Sequence, residues 1–341
     1  MRINDNSISL IRIIAACQVM LGHIIEHLEL PIDDTPLRLV YFIRGVPVFF
    51  VISGFLIWFS IERSQSYRQY LEKRFWRIYP ELWVAVIIEI IILVMLYNGW
   101  ELKELLLFAF GQGTIFQFYT PDSLRGYGVG TPNGALWTIG VMIQFYIIAW
   151  FVHKLMHKRK PTTWVAGFLA AFLISAGGTY ITKHYLDIEI ASKLYDQTFI
   201  KYFWLFYIGM FVAEYKTSAI PVLQKYWYVL LIAAFLFFWT GWDLFSGYFL
   251  LWSLFMTLGL IGFAYRFPRF AIAPDISYGL FLYHMIVVNV FVHYNIIGNW
   301  KYVIPVVVVS MLLAFISTVT IGKAAANYKA YKTIKNGRRI T

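Results

Sequence analysis

The stretch SLIRIIAACQVMLGHIIEHL, from Ser9 to Leu28, is apolar over the length that a helix needs to cross a bilayer. It nevertheless carries four ionisable side chains, which are Arg12, His23, Glu26 and His27. Ionisable groups are costly inside a membrane and commonly mark functional sites there. This first stretch therefore predicts a membrane protein and a candidate site within it.

The spacing of Arg12 and His23 places both on one face of a helix. Eleven residues at about 100° each return to within about 20°, and the two positions lie roughly 16 Å apart along the axis. The small residues Ala15 and Ala16 lie between them, and Glu26 follows His23 by one turn, close enough to accept its ring N–H. This stripe could bind a long anionic ligand at one end and act on it at the other. Alternatively, Arg12 reaches the lipid headgroups and His23 bonds a neighbouring helix.

The composition of the whole chain extends this interpretation. Of 341 residues, 60% are hydrophobic and 14% are charged, whereas soluble domains are about one quarter charged. A formal charge of +11 would suggest nucleic acid in a soluble protein, but here the basic residues lie between apolar stretches. We therefore expect an all-α, polytopic membrane protein without a nucleic-acid partner.

About ten transmembrane helices are predicted from the apolar stretches, and most of the 29 Lys and Arg residues then fall on one side. The positive-inside rule places that side, with both termini, in the cytoplasm. We expect one membrane domain over residues 1–341, with a basic cytoplasmic tail at 323–341 that contacts membrane lipids. The predicted spans are roughly 8–29, 39–60, 80–98, 135–153, 163–182, 198–214, 227–243, 246–265, 273–297 and 302–322.

The second predicted span, within RGVPVFFVISGFLIWF, contains Arg44 and Ser53 among apolar residues. Pro47 is expected to kink this helix. Gly54 would permit close approach of another helix, which is its more common role. Ser53 could bond either backbone or substrate.

The next motif, KRFWRIYPELW, places Arg74 and Arg77 one helical turn apart, with Pro80 opening the third span. Two guanidinium groups at the cytoplasmic side suit anion binding, although contact with lipid headgroups is the preferred explanation for the two arginines taken alone. Glu89 falls inside the third span and requires a partner, for which Arg12 or Arg44 is the natural candidate.

Later spans contribute further polar side chains. LWTIGVMIQFYII carries Trp137, Gln144 and Tyr146, and SYGLFLYHMIVV carries His284. His284 is either a second site histidine or a packing residue. His23 and His27 have the spacing of metal ligands, but no second ligand pair accompanies them, so no metal is expected.

In this order, these motifs resemble the acyltransferase-3 family of bacterial membrane acyltransferases over nearly the whole chain. The matching elements are the R-x10-H of Arg12 and His23, the FFVISGFLI around Ser53, the R-x-x-R-I-x-P of Arg74, Arg77 and Pro80, the LW…QFY of 136–146, and the SYGLFLYH that ends at His284. The chain departs from the family pattern at two positions, because Met142 and Ile143 replace the acidic residues that often precede QFY in the family. Glu26 and Glu89 are candidate substitutes for them.

The resemblance implies an enzyme of the bacterial cytoplasmic (inner) membrane that transfers an acyl group, commonly acetyl, from cytoplasmic acyl-CoA. Acceptors typical of the family are sugar hydroxyls of envelope polysaccharides, including the O-antigen of lipopolysaccharide, so a lipid-linked or polymeric saccharide is the expected partner. The family motifs imply that Arg12, His23, Arg74 and Arg77 are important for activity.

A mechanism consistent with both lines of reasoning assigns His23 as the general base on the acceptor hydroxyl. An acyl-enzyme on His23 or Ser53, and a transporter or flippase for an anionic lipid or saccharide, remain alternatives. The expected catalytic residues are His23, Glu26, Ser53 and Tyr146; the expected acetyl-CoA-binding residues are Arg12, Arg44, Arg74 and Arg77; the expected acceptor-binding residues are Trp137, Gln144 and His284.

Overall fold

The protein is helical throughout the residues that the computed structural model describes, which are 5–185, 189–242 and 249–328, and no strand occurs among them. The α-helices are α1 Ile8–His27, α2 Asp34–Val40, α3 Gly45–Glu62, α4 Tyr67–Leu96, α5 Leu102–Gln112, α6 Trp137–Met156, α7 Pro161–His184, α8 Glu189–Tyr195, α9 Phe199–Glu214, α10 Lys216–Thr240, α11 Leu250–Arg266, α12 Ser277–His293 and α13 Val303–Ser317. A π-helical turn, Thr318–Gly322, follows α13 directly.

Seven of the described helical segments are long and apolar enough to cross a membrane, judged by length and composition. They are Ile8–His27, Asp34–Glu62, Tyr67–Leu96, Trp137–Met156, Pro161–Thr182, Lys216–Thr240 and Trp300–Tyr328. Three other predicted spans coincide with the shorter helices α9, α11 and α12, of 16, 17 and 17 residues. The helical, multi-pass prediction is thus confirmed, whereas the number ten and the side of the termini stay predictions. Most of the basic tail, 329–341, lies outside the described residues.

Two prolines have places in their helices that differ from the predicted ones. The third span was predicted to begin at Pro80, but α4 begins at Tyr67 and continues through Pro80. The Ser66 side chain accepts a hydrogen bond from the backbone N–H of Gln69, which satisfies a donor at the helix start and explains the earlier beginning. Pro47 lies in the first turn of α3, where a missing N–H removes no helical bond, so it gives no reason for a kink.

The chain divides into two compact units, each built from three separate segments. The first unit comprises residues 1–18, 38–65 and 141–272, and the second comprises 19–37, 66–140 and 273–341. The first unit therefore contains α3, α6 from Val141 onward and α7 to α11, and the second contains α4, α5, the first turn of α6, α12 and α13. Helix α1 passes from one unit to the other.

Helices α3 and α9 of the first unit pack closely against each other. A Cβ added to Gly54 would lie 1.9 Å from the carbonyl oxygen of Phe206, and one added to Gly209 would lie 1.9 Å from that of Val51. Backbones can approach this closely only where side chains are absent. The expected role of Gly54 in helix packing is therefore confirmed.

The second unit joins α4 to α5 and α12 to α13. An apolar cluster of Leu93, Leu105, Phe108, Leu124 and Tyr127 connects α4, α5 and the long loop that precedes α6. Burial of these large side chains holds the loop against the helices, because removing apolar area from contact with water stabilises packing. This loop contains the glycine-rich sequence GYGVGTPNG, residues 126–134, which lies next to α12.

Candidate active site

The site centres on two histidines of the second unit. The Nδ1 atom of His23, on α1, lies 2.9 Å from the Nε2 atom of His284, on α12. The two rings are nearly parallel, at 12°. His284 is fully buried, whereas His23 is half-buried. The structure thus joins the histidine of the first span to a residue that sequence reasoning could assign either to the site or to packing.

Hydrogen bonding fixes which ring nitrogens carry protons when both imidazoles are neutral. The Nδ1 atom of His284 lies 2.7 Å from the backbone carbonyl of Leu280, and because a carbonyl only accepts, this nitrogen is protonated. The Nε2 atom of His284 then accepts the N–H of His23 Nδ1. The lone pair of His23 therefore lies on Nε2, which has no hydrogen-bond partner among the described residues. This is the protonation state that a general base requires.

The other ionisable groups near the end of α1 have different positions. The ring centroid of His27 lies 5.6 Å from that of His23. Glu26 is exposed, and the N–H that it was expected to accept from His23 is donated to His284 instead. The partner that orients His23 is therefore an imidazole.

The loop before α6 is fixed to the same helix that carries His284. Asn289 Oδ1 accepts the backbone N–H of Val129 at 2.8 Å, and its Nδ2 donates to the carbonyl of Pro132 at 2.8 Å. Gly128 has a positive φ of 56°, and a Cβ there would lie 1.9 Å from Asn289 Oδ1. Asn133 Nδ2 donates to the carbonyl of Leu282. The glycine-rich loop is thus held on α12 by two amide side chains, within two helical turns of His284.

At the predicted cytoplasmic end of the second unit, Arg77 is held by groups that the sequence did not single out. Its guanidinium lies 3.6 Å from Glu81 and 5.4 Å from the ring centre of Tyr278. The buried Glu81 carboxylate also accepts a hydrogen bond from the Ser317 hydroxyl at 3.0 Å. The Arg77 side chain remains 41% exposed, so it is both positioned and accessible. Arg74 precedes it by one turn of α4, as predicted.

Glu89 is buried in α4, and neither carboxylate oxygen has a hydrogen-bond partner among the described residues. The expected pairing with Arg12 or Arg44 is therefore not formed. The guanidinium of Arg44 instead lies 4.6 Å from the ring centre of Phe249 and 5.3 Å from that of Trp252, both in the first unit. Arg44 is held by cation–π contacts.

Several other predicted residues belong to the first unit. Arg12 lies on the same continuous helix as His23, and its side chain is half-buried. Ser53 lies in the middle of α3, and Tyr146 in the middle of α6, both half-buried. Trp137, in the second unit, is the first residue of α6, which agrees with its predicted position at the start of a span.

Gln144 has an evident structural contact. Its Oε1 accepts the N–H of Phe199 at 3.0 Å, and its Nε2 donates to the carbonyl of Gln197 at 3.0 Å. These contacts satisfy backbone groups at the start of α9. Both ends of the amide are therefore already bonded in this structure.

The residues that sequence reasoning missed are Glu81, Asn289, Asn133 and Ser317. Each is a polar group placed in or beside an apolar helix, where an unpaired donor or acceptor is costly. Glu81 follows Arg77 by four residues, which is the spacing of a helical ion pair and was a usable signal. The amides gave no such signal, because their partners are distant backbone atoms.

Comparison with known proteins gives a match over most of the chain. A protein-family profile described as "Acyltransferase domain" matches residues 5–319. Nodulation protein 10 of Rhizobium leguminosarum bv. viciae is 28% identical over 86% of this chain and 86% of its own length. No solved structure was found to match.

Two further relatives have names that state an activity. The O-acetyl transferase of Shigella phage Sf6 is 25% identical over 66% of this chain and 69% of its own length. The peptidoglycan O-acetyltransferase OatA of Listeria monocytogenes is 26% identical over 45% of this chain and 26% of its own length.

Proposed function

The chain belongs to the acyltransferase-3 family of membrane acyltransferases, and from this premise we propose that it transfers an acetyl group from acetyl-CoA to a sugar hydroxyl of a cell-envelope polysaccharide such as O-antigen. Two relatives are named as O-acetyl transferases, which favours acetyl as the group moved and oxygen as its acceptor. We place the enzyme in the bacterial cytoplasmic membrane, where cytoplasmic acetyl-CoA and lipid-linked saccharides are both accessible.

The observation that carries this proposal is the chain of contacts from the Leu280 carbonyl through His284 to His23 Nδ1, from which we infer a lone pair on His23 Nε2. In the proposed reaction this nitrogen removes the proton of the acceptor hydroxyl as the oxygen attacks the thioester carbon. The carbon–sulfur bond then breaks, and the imidazolium returns the proton to the departing CoA thiolate. The products are the acetylated saccharide and CoA, and the enzyme regains its neutral histidine.

His284 would support this step in two ways. It holds the His23 ring in one orientation through the bond to Nδ1, and it stabilises the imidazolium by accepting that N–H while the positive charge exists. Ser53 and Tyr146 remain the proposed donors to the developing oxyanion, and Glu26 remains a candidate for stabilising the His23 imidazolium through its negative charge. Trp137 and Gln144 remain proposed acceptor-binding residues.

The donor has an anionic nucleotide end that guanidinium groups recognise well. We propose that Arg77 and Arg74 bind its phosphates, with Arg12 and Arg44 as further contributors. Pairing with Glu81 fixes the direction of Arg77 while leaving part of its guanidinium accessible.

The proposal is tested with the purified full-length protein in lipid nanodiscs, given acetyl-labelled acetyl-CoA and O-antigen oligosaccharides. We expect CoA release coupled to labelling of the saccharide, and loss of both in His23→Ala. His293→Ala, on the same helix as His284, is the matched histidine control and should retain turnover. Equal turnover in His23→Ala would refute the base assignment.

The same preparation in sealed vesicles distinguishes the transporter alternative. A transporter moves the saccharide across the bilayer and leaves the thioester intact, whereas the proposed enzyme consumes it. Saccharide movement without CoA release would therefore contradict the proposed function.

A further inference from the structure

A second cluster of metal-ligating side chains lies in the first unit, apart from the proposed chemistry. His153 and His157 are one turn apart at the end of α6, and Glu62 is the last residue of α3. One ligand atom from each of the three lies within 4.8 Å of the others. The two imidazole rings are nearly parallel, at 12°, with centroids 5.0 Å apart, so both project in the same direction.

We propose that His153, His157 and Glu62 bind a divalent transition-metal ion, of which Zn²⁺ is the best match. Two imidazoles and one carboxylate are a ligand set that Zn²⁺ accepts, with the fourth position open to water. Ligand atoms around a tetrahedral Zn²⁺ with bonds of about 2.0–2.1 Å are roughly 3.4 Å apart. Small side-chain rotations would bring the three ligand atoms from their present separation to that distance.

Glu214 provides the supporting contact that histidine ligands commonly have. Its Oε2 lies 3.1 Å from His157 Nδ1, and its Oε1 accepts the backbone N–H of Lys158 at 2.6 Å. A carboxylate bonded to Nδ1 fixes the N–H there and leaves the Nε2 lone pair for a metal. Glu214 side-chain exposure is only 10%, so this orientation is well defined.

His153 has a nitrogen whose hydrogen-bonding capacity is unused. Its Nε2 atom is buried and has no hydrogen-bond partner in the described part of the chain. The ring is held by Trp58, with centroids 4.2 Å apart. A buried polar atom without a partner is uncommon and calls for an explanation. A bound metal ion would satisfy it.

One cation already lies near the cluster. The Nζ atom of Lys216 is 3.9 Å from Glu62 Oε2, and both side chains are about one-third exposed, at 32% and 34%. An exposed ion pair at this distance is worth little. Glu62 can therefore turn from Lys216 to a metal at small cost, and Lys216 retains its contact with the Phe59 ring.

The test uses the full-length protein in nanodiscs, stripped with a chelator and titrated with Zn²⁺ by calorimetry. We expect one Zn²⁺ per chain and a higher unfolding temperature in its presence, because a ligand of the folded state stabilises it. His157→Ala and Glu62→Gln should each weaken binding at least tenfold, and Glu214→Gln by about tenfold. Glu62→Gln changes an exposed position and keeps the test valid if a histidine variant does not fold.

The matched control is His293→Ala, which removes a histidine outside the cluster and should leave Zn²⁺ binding unchanged. Absence of a stoichiometric site in the wild type, or equal weakening by His293→Ala and His157→Ala, would overturn the proposal. The readout is metal affinity, so its failure leaves the acyl-transfer proposal untouched.

Discussion

His23 and His284 are 261 positions apart in the chain, and their ring nitrogens are 2.9 Å apart in the fold. Since His284 also donates to the Leu280 carbonyl, its free nitrogen can only accept while the ring is neutral. One backbone carbonyl on α12 thereby determines which nitrogen of His23 is basic. The contact between His284 and the Leu280 carbonyl therefore determines whether His23 can act as the proposed general base.

The first prediction concerns His284. His284→Ala removes the acceptor that orients His23, and we expect kcat to fall about 10²–10³-fold. In His284→Gln the side-chain oxygen can still accept the His23 N–H, so this variant should retain more activity. Initial rates of CoA release over a range of pH, with unfolding temperature as the folding control, measure both effects. A purely structural role would lower stability without the partial rescue.

The second prediction concerns Arg77. Arg77→Ala should raise the KM for acetyl-CoA about tenfold, equivalent to about 1.4 kcal/mol, with a smaller change in kcat. The matched control is Arg125→Ala, because Arg125 is also paired to a nearby acidic residue, Asp122, but lies in the loop before α6. An unchanged KM in Arg77→Ala, or an equal rise in Arg125→Ala, would contradict the assignment.

The third prediction concerns the loop on α12. Asn289→Leu leaves the Val129 N–H and the Pro132 carbonyl without their partner, at about 1–3 kcal/mol for each buried group. We expect faster amide exchange at Val129 and a lower unfolding temperature. Asn299→Ala, which removes an exposed amide that caps a surface turn, is the control and should have a small effect. Unaltered exchange at Val129 would show that the loop is held by other contacts.

The fourth prediction concerns the α3–α9 contact. Gly54→Ala places a Cβ against the Phe206 backbone, which cannot move as a side-chain end can, and we expect a loss of about 1–3 kcal/mol. Gly177→Ala is the matched control, because a Cβ there meets no atom within 4 Å. That helical substitution should be neutral or stabilising by about 0.5–1 kcal/mol. The unfolding temperatures of the two variants test this prediction. Equal changes in Gly54→Ala and Gly177→Ala would refute the close packing of α3 on α9.

The sequence alone was sufficient for the helices, because hydropathy and length are local properties. Each predicted span overlaps a helix in the described residues, and Arg12 and His23 lie on one continuous helix, as predicted. It was less successful at helix starts. Pro80 was predicted to begin the third span, whereas α4 begins after its N-cap residue Ser66, fourteen residues before Pro80.

The sequence did not predict the hydrogen-bond and ion-pair partners of the polar side chains. Glu89 was predicted to pair with Arg12 or Arg44, and Glu26 was predicted to orient His23. Both predictions chose ionisable groups that the sequence places within the membrane spans. In the structure Glu89 has no hydrogen-bond partner among the described residues, and an imidazole takes the place assigned to Glu26. Charge indicates that a group needs a partner but does not specify which one.

The amino-acid sequence by itself determined that this is a helical, multi-pass membrane acyltransferase with a histidine in its first span. Only the tertiary structure decided that His284 faces that histidine, that Asn289 holds the glycine-rich loop, and that Ser317 bonds Glu81, the partner of Arg77. The reason is physical. A helix forms from hydrogen bonds between residues four apart, whereas these contacts join segments more than 150 residues apart that meet only when the helices pack.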